Sequence, residues 1–464
     1  MARMPLTQGQ LATLNRGRDL VTVLEPDNDD ALEPAPRRSR HDLAPLRTRL
    51  GELSRAWSDC RCSQLRIRAT SENLLEDFLA ASCGAGCRAS NRGAGQKLQI
   101  TFAGEQGVDA GGLSRQAFAD FGKALATAPA FTEGASEASP RLFTLSSGNV
   151  LVPASAEALM GHNGSFEGDA CAVPAISVNI LQRYEACGVV CGLALTNECH
   201  LGVSFSASFV RLALGGAFGT REERLGAILE EDPHNWLAQH AAAFLGTSLA
   251  ELGLADSFTF VTQEAGAPLA EKEAESIAVT DDNKHSYLDR LLEHRLVTTT
   301  VQQAAAFKRG LDRVTYFSRR YCLAQQLSVG EVNELWRGVE LDDTALDQWR
   351  AKAVHTDPDI GSTAMLLWEW LQEQHSSRRS AVLQFATGAT HLPVDLSRWI
   401  FSIGRERYPP IISATDTNGL DADAMLATAA TCGNAIRLPR WRDKQDLERG
   451  MRMSLMFGAG YGNV

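Results

Sequence analysis

VLQFATGATHLP occupies Val382–Pro393 and TCGNAIRLP occupies Thr431–Pro439, and the reading of the chain turns on this pair. The second stretch sets one cysteine, Cys432, between small and polar residues near the end of the sequence, a setting that leaves the sulfur accessible. A nucleophilic cysteine needs both access and a stabilised thiolate, and lone cysteines usually lack one or the other. By context alone Cys432 is a candidate and no more.

The other nine of the ten cysteines read differently. Cys171, Cys187, Cys191, Cys199 and Cys322 sit among Ala, Val, Leu, Ile and Tyr, where a thiol behaves as a small apolar side chain. Cys60 and Cys62 with Cys83 and Cys87 offer four thiolates, but CxC and CxxxC depart from the paired CxxC knuckles of zinc sites. No metal and no cofactor is expected. The 464 residues carry a formal charge of −11, with acidic and basic residues mixed, so no basic face suggests a nucleic-acid partner. No apolar run is long enough to span a membrane, and MARMPLTQGQLATLNRGRDL lacks the apolar core of a secretory signal. A cytosolic protein, with nuclear residence also open, is the expectation. The basic triplet Arg37, Arg38 and Arg40 would suit nuclear import, although such clusters are common in polar tails.

Residues 1–50 combine prolines, acidic and basic clusters and little apolar periodicity, which reads as a disordered tail. From Ser54 to Ala81 the pattern is helical. KLQITFAGEQGVDAGGLSRQAFADFGKAL then reads as a strand with Leu98, Ile100 and Phe102 inward, a glycine-rich turn, and a helix opening near Ser114. The turn is neither GxGxxG nor a P-loop with its lysine, so it is a structural turn rather than a phosphate cradle. ISVNILQRYEACGVVCGLALTNECHLGVSF is too uniformly apolar for a surface helix and predicts a buried central one. The polar stretch 232–295 predicts a small insertion with strands at FTFVT and IAV and a helix from about Asn283. Helices are expected at Val301–Arg313, LSVGEVNELWRG and STAMLLWEWLQEQ, and SAVLQFATG is open between strand and helix.

These stretches, in order, resemble the HECT domain of ubiquitin ligases. TCGNAIRLP resembles that family's TCxNxLxLP, with its cysteine on Cys432; VLQFATGATHLP resembles LLQFVTGTxxxP; Leu98–Phe118 resembles LxVxFxGExGxDxGGLxREFF. GVVCGLALTNECHLGVSFSASF, VTDDNKHSYLDRL and QQAAAFKRGLDRV resemble further motifs, so that the likeness covers about residues 65–464. Departures are Gly433, where many relatives carry Phe, Ala430, where a polar residue is frequent, and Val189, where an arginine is common. Tyr461 stands fourth from the end, where relatives have a functionally important Phe.

The resemblance implies an α+β bilobal domain. It comprises a mostly helical N-lobe over 65–354 with a conjugating-enzyme docking subdomain at about 232–295, a hinge at 355–361, and an α/β C-lobe over 362–464. It implies a ubiquitin-protein transferase in which Cys432 accepts ubiquitin from a conjugating enzyme as a thioester and passes it to a substrate lysine. Thr431 and Asn434 are candidates to support the thioester by hydrogen bonding, Thr387 and His391 would pack near the cysteine, and Tyr461 would order the tail. A lysine nucleophile must lose its proton, and Asp395, Asp421 and Asp423 are candidates for that work without an assignment among them. Two alternatives stay open: a catalytically weak pseudoligase that binds ubiquitin or a conjugating enzyme, and a cysteine hydrolase acting on ubiquitin conjugates, with His391 as a base.

Overall fold

The computed structural model describes residues 45–59, 64–70, 73–83, 97–102, 111–130, 140–160, 176–254, 259–261, 276–316, 322–412 and 424–457. The tail as far as residue 44, most of GEQGVDAGG, the side chains of Cys60, Cys62, Cys83 and Cys87, and Cys171, Asp421, Asp423 and Tyr461 lie outside the described residues.

Leu46, Leu50, Leu53 and Trp57 recur at helical spacing, and helix α1 (Leu46–Asp59) lays that face on the core. It therefore begins a few residues inside the expected tail. Its Trp57 indole donates to the Thr315 carbonyl at 3.1 Å, and buried Arg49 pairs with Glu331. The expected continuous helix to Ala81 is broken by strand β1 (Gln64–Ala69), because QLRIRA alternates apolar and polar residues with the period of a strand. Helix α2 (Leu74–Cys83) follows and returns the chain to β2 (Lys97–Phe102), which pairs parallel with β1, Ile67 opposite Ile100. Ile67, Ala69 and Ile100 are buried beneath helix α3 (Gly112–Leu125) and its neighbours.

Strands β3 (Phe143–Leu145) and β4 (Leu151–Pro153) form a hairpin beside α4 (Val178–Thr196), the expected central helix. From Tyr184 to Thr196 every residue of α4 but Glu185 is buried. Ser177 caps it and the Tyr184 hydroxyl donates to the Leu142 carbonyl. Helix α5 (Ala207–Ala213) brings Phe209 beside Phe205, and Phe205 meets Phe143 and Trp336 edge-on at ring-centroid distances of 5.3 and 5.2 Å.

Helix α6 (Arg221–Glu231) lies ahead of the insertion's expected start at 232 but packs with it, and strands β5 (Thr259–Val261) and β6 (Ser276–Ala278) and helix α7 (Lys284–Glu293) fall inside it. The strands pair antiparallel, and Ile228, Phe244, Leu288, Leu292 and Leu296 are buried in a cluster of their own. It joins the body through α5 and a π-helical turn at His294–Thr298, a rare geometry that is frequent at functional sites. Beyond it α8 (Val301–Thr315) packs along α4 so closely that a Cβ on Gly310 would lie 1.8 Å from the Glu185 carbonyl oxygen.

Helix α9 (Val329–Arg337) opens with a capping box formed by Ser328 and Glu331 and ends at Gly338. From there a third cluster forms. Helices α10 (Asp343–Ala351), α11 (Gly361–Gln372), α12 (Ser376–Thr387) and α13 (Lys444–Phe457) surround a four-stranded sheet of order β11-β12-β8-β7. Its strands are β7 (Ala353–His355), β8 (Phe401–Arg405), β11 (Thr428–Ala430) and β12 (Ala435–Leu438), while the short pair β9 (Ile411–Ile412) and β10 (Ala424–Met425) stands apart. β12 and β8 pair parallel, as do β7 and β8, and β11 runs antiparallel to β12. Trp349, Ile360, Trp370, Phe401 and Ile436 are all buried in this core. The segment 355–361 is thus tied down, by the pairing of His355 with Ile403 and by the fully buried Ile360. Val382 to Gly388, left open between strand and helix, completes α12 and its left-handed glycine terminus, Gly388 at φ 81°. The mixed helix and sheet content is that of the α+β class.

Candidate active site around Cys432

The hairpin β11–β12 turns through Thr431–Gly433 as a single 3₁₀ turn, closed by Asn434 in the left-handed region at φ 48° and ψ 51°. Asn tolerates this conformation better than other non-glycine residues, which accounts for an asparagine two places after the cysteine. The Asn434 N–H donates to the Thr431 carbonyl at 3.2 Å, its side-chain amide donates to the Ile400 carbonyl at 3.4 Å, and its own carbonyl accepts from the Ser402 N–H at 2.9 Å. Asn434 therefore builds the turn. Thr431 points inward and is buried, whereas Cys432 and Gly433 are exposed.

Five cysteine side chains are described, and Cys432 is the exposed one among them. Burial pushes the Cys191 thiol well above its ordinary range, with Cys187 beside it adding to the effect, and burial also raises Cys322. Those thiols are poor nucleophiles at neutral pH.

The turn is held from below by α3. Gly112 at the start of that helix meets Thr431 so closely that a Cβ there would lie 2.4 Å from Thr431 Oγ1 and 2.9 Å from the Cys432 nitrogen. One turn along, Arg115 donates from Nε to the Thr387 carbonyl at 2.8 Å and from Nη2 to the Thr431 carbonyl. Thr387 is buried at the end of α12, with its hydroxyl donating to the Leu383 carbonyl at 2.8 Å and accepting from the Ala389 N–H at 3.1 Å. Its hydroxyl shapes the helix end, and its carbonyl is what reaches the cysteine turn through Arg115. Nothing in the sequence marked Arg115 beyond its place in GGLSRQAF, because both of its acceptors are backbone oxygens.

The HECT-domain (ubiquitin-transferase) family model matches residues 138–464, and so includes this turn. The chain belongs to that family. It is 24% identical over 412 residues to the E3 ubiquitin-protein ligase RSP5 of Chaetomium thermophilum, covering 86% of this chain and 43% of that protein. It is 26% identical over 290 residues to the E3 ubiquitin-protein ligase HACE1 of Xenopus laevis, covering 61% and 28% respectively. Over 195 residues it is 28% identical to the E3 ubiquitin-protein ligase pub3 of Schizosaccharomyces pombe, covering 41% and 23%. The chain thus spans less than half the length of these curated relatives.

His391 is expected to pack beside the cysteine of this HECT-domain protein. Its Nδ1 lies 2.9 Å from Thr390 Oγ1, its ring faces Gly202, and its Cβ faces Gly338 next to His200. Burial lowers its pKa to about 4, helped by the positive charges of His200, Arg337 and Lys123. A neutral, buried imidazole of this kind is protonated more readily once the chain unfolds, where its pKa is about 6.5. Stability from His391 is therefore whole above pH 6.5 and is lost as pH falls through 6.5 toward 4, by no more than about 3 kcal/mol. Thermal midpoints of wild type should fall more steeply between pH 7 and 5 than those of His391→Gln; equal slopes would contradict this placement.

Asp395, the one described candidate for a proton acceptor, is partly exposed and touches Ser397 and Arg47. Slight burial acts to raise its pKa, but hydrogen bonds from the Ser397 N–H and hydroxyl prevail and hold it below the ordinary range, which weakens it as a base. Gly433 has nothing within 4 Å of where a Cβ would stand. Gly433→Ala should therefore raise stability by about 0.5 kcal/mol through a less flexible unfolded chain, read as a small upward shift in the thermal midpoint.

Proposed function

We propose that this protein is a ubiquitin-protein transferase in which Cys432 carries ubiquitin as a thioester between a ubiquitin-conjugating enzyme and a lysine of a protein substrate. Family membership supports the reaction, and the observation that carries the residue is the exposed sulfur at the tip of a rigid β-hairpin turn, while Cys187, Cys191 and Cys199 are buried and Cys322 is half-buried. In the first step the Cys432 thiolate adds to the thioester carbonyl; a carbon–sulfur bond forms, that to the conjugating enzyme breaks, and its thiolate leaves. In the second a deprotonated lysine amine adds to the same carbonyl, the amide forms, and the Cys432 thiolate is released as the amine's second proton passes to solvent or a base.

The separate apolar clusters support a two-lobed domain. The residues from Ala227 to Leu296, with Trp236 and Leu291 exposed on the surface, suit the docking of a conjugating enzyme. Because β7 and Ile360 belong to the last cluster, the swing expected of 355–361 is assigned to the chain ahead of Ala353. Incubation with activating enzyme, ubiquitin and a panel of conjugating enzymes should give a ubiquitin adduct that thiols cleave. Absence of that adduct across the panel would remove this reading.

A further inference from the structure

We propose that Arg115 is a positioning residue for the second half of the reaction: its guanidinium clamps the cysteine turn to α3 in the arrangement from which Cys432 discharges its acyl group. The inference rests on the transferase reading above. Its physical basis is that one planar donor ties three elements together, since Arg115 on α3 reaches the end of α12 through the Thr387 carbonyl and the 3₁₀ turn through the Thr431 carbonyl. Both acceptors belong to residues no more than 6% exposed, and the half-buried bonds are partly shielded from water. The Thr431 carbonyl carbon is bonded to the Cys432 nitrogen, and fixing it fixes the backbone from which Sγ projects. Gly112 completes the seat, since Thr431 and the Cys432 nitrogen occupy the space its side chain would fill. Gly388 completes the other side, where a Cβ would lie 2.5 Å from the Gly112 carbonyl oxygen.

The arrangement belongs to discharge rather than loading because of where the turn rests. Its principal contacts are α3, α12 and β12, whereas the cluster at Ala227–Leu296 is joined to the body through α5. Docked on α3, Cys432 and Gly433 still face solvent, so the acyl carbon is held in place while its far side stays open to an incoming amine. Holding two reacting groups in one geometry accelerates their reaction without altering either group. No bond to Arg115 is made or broken in the step.

The two half-reactions separate the claim. For Arg115→Ala, single-turnover transfer of ubiquitin from a charged conjugating enzyme onto the protein should stay within about twofold of wild type, while discharge of the isolated thioester to free lysine should slow roughly tenfold. The loss should appear in the maximal rate and not in the lysine concentration at half-maximal rate. Arg115→Lys, which can remake one of the two bonds, should recover part of it. Gly112→Ala, which wedges the same surfaces apart without touching the arginine, should reproduce the selective loss, and it keeps the test open should Arg115→Ala fold poorly. A fall in discharge of less than about fivefold, a faster discharge, or an equal fall in both steps would each overturn the clamp. If wild type itself forms no thioester, the transferase reading fails; if wild type charges and Arg115→Ala discharges normally, only the clamp fails.

Discussion

Cys432→Ala is expected to abolish the thiol-sensitive ubiquitin adduct and all transfer to lysine, with no measurable change in the thermal midpoint. The size of the effect follows from covalent chemistry: in the proposed reaction the acyl group rests on this sulfur, and removing it leaves no group at the tip of the turn to take its place. The absence of a stability effect follows from exposure, because the sulfur is buried against nothing and truncating it opens no cavity. Cys432→Ser separates the nucleophile from the site. Its hydroxyl, if acylated, gives an oxygen ester that survives thiols and yields to mild base. Non-reducing and reducing gels of the charged protein read both outcomes. An adduct of undiminished yield on Cys432→Ala would place the acceptor elsewhere.

The second large effect concerns the core. Gly310→Ala and Gly188→Ala should each destabilise the protein by about 3 kcal/mol or more, the upper end of what overpacking costs. Alanine is the better helix former by about 1 kcal/mol, so propensity alone predicts the opposite sign. Packing overrules it. A Cβ at Gly310 would stand 1.8 Å from the Glu185 carbonyl oxygen and one at Gly188 would stand 2.0 Å from that of Phe307. The obstructing atoms are backbone on both sides, so no rotamer relieves the overlap and α4 and α8 must part. Phe307, Val190 and Leu311, all buried in this same core, would lose contacts with them. Gly226→Ala, in a helix where nothing lies within 4 Å, is the internal control and should raise the thermal midpoint. If Gly310→Ala matched that control, the close crossing of α4 and α8 would be wrong.

Much of this was legible because pattern and packing agreed. The apolar density of ISVNILQRYEACGVVCGLALTNECHLGVSF foretold the buried central helix α4, and LSVGEVNELWRG foretold α9. The break came at Gln64–Ala69, where a six-residue alternation sits between two helices and short segments of either period look alike. At the site, Cys432 was marked by its motif and is exposed, whereas Asn434, expected to support the thioester through its amide, directs that amide to the Ile400 carbonyl and shapes the turn by its left-handed backbone. Thr387 was expected to pack near the cysteine; its hydroxyl bonds within its own helix, and its carbonyl shares Arg115 with the cysteine turn. Arg115 matches the arginine of GGLxREFF, but its partners were not legible: every residue has a carbonyl, and sequence does not say which one an arginine on a distant helix will find.

The measurement that bears most directly on the central claim is peptide mapping by mass spectrometry of the wild-type protein charged with ubiquitin, digested under conditions that preserve thioesters. The account predicts the glycine-glycine remnant of ubiquitin on the sulfur of Cys432, lost on treatment with thiol. A remnant on Cys322 or another cysteine, or on lysine alone with Cys432 unmodified at every time point, would contradict it.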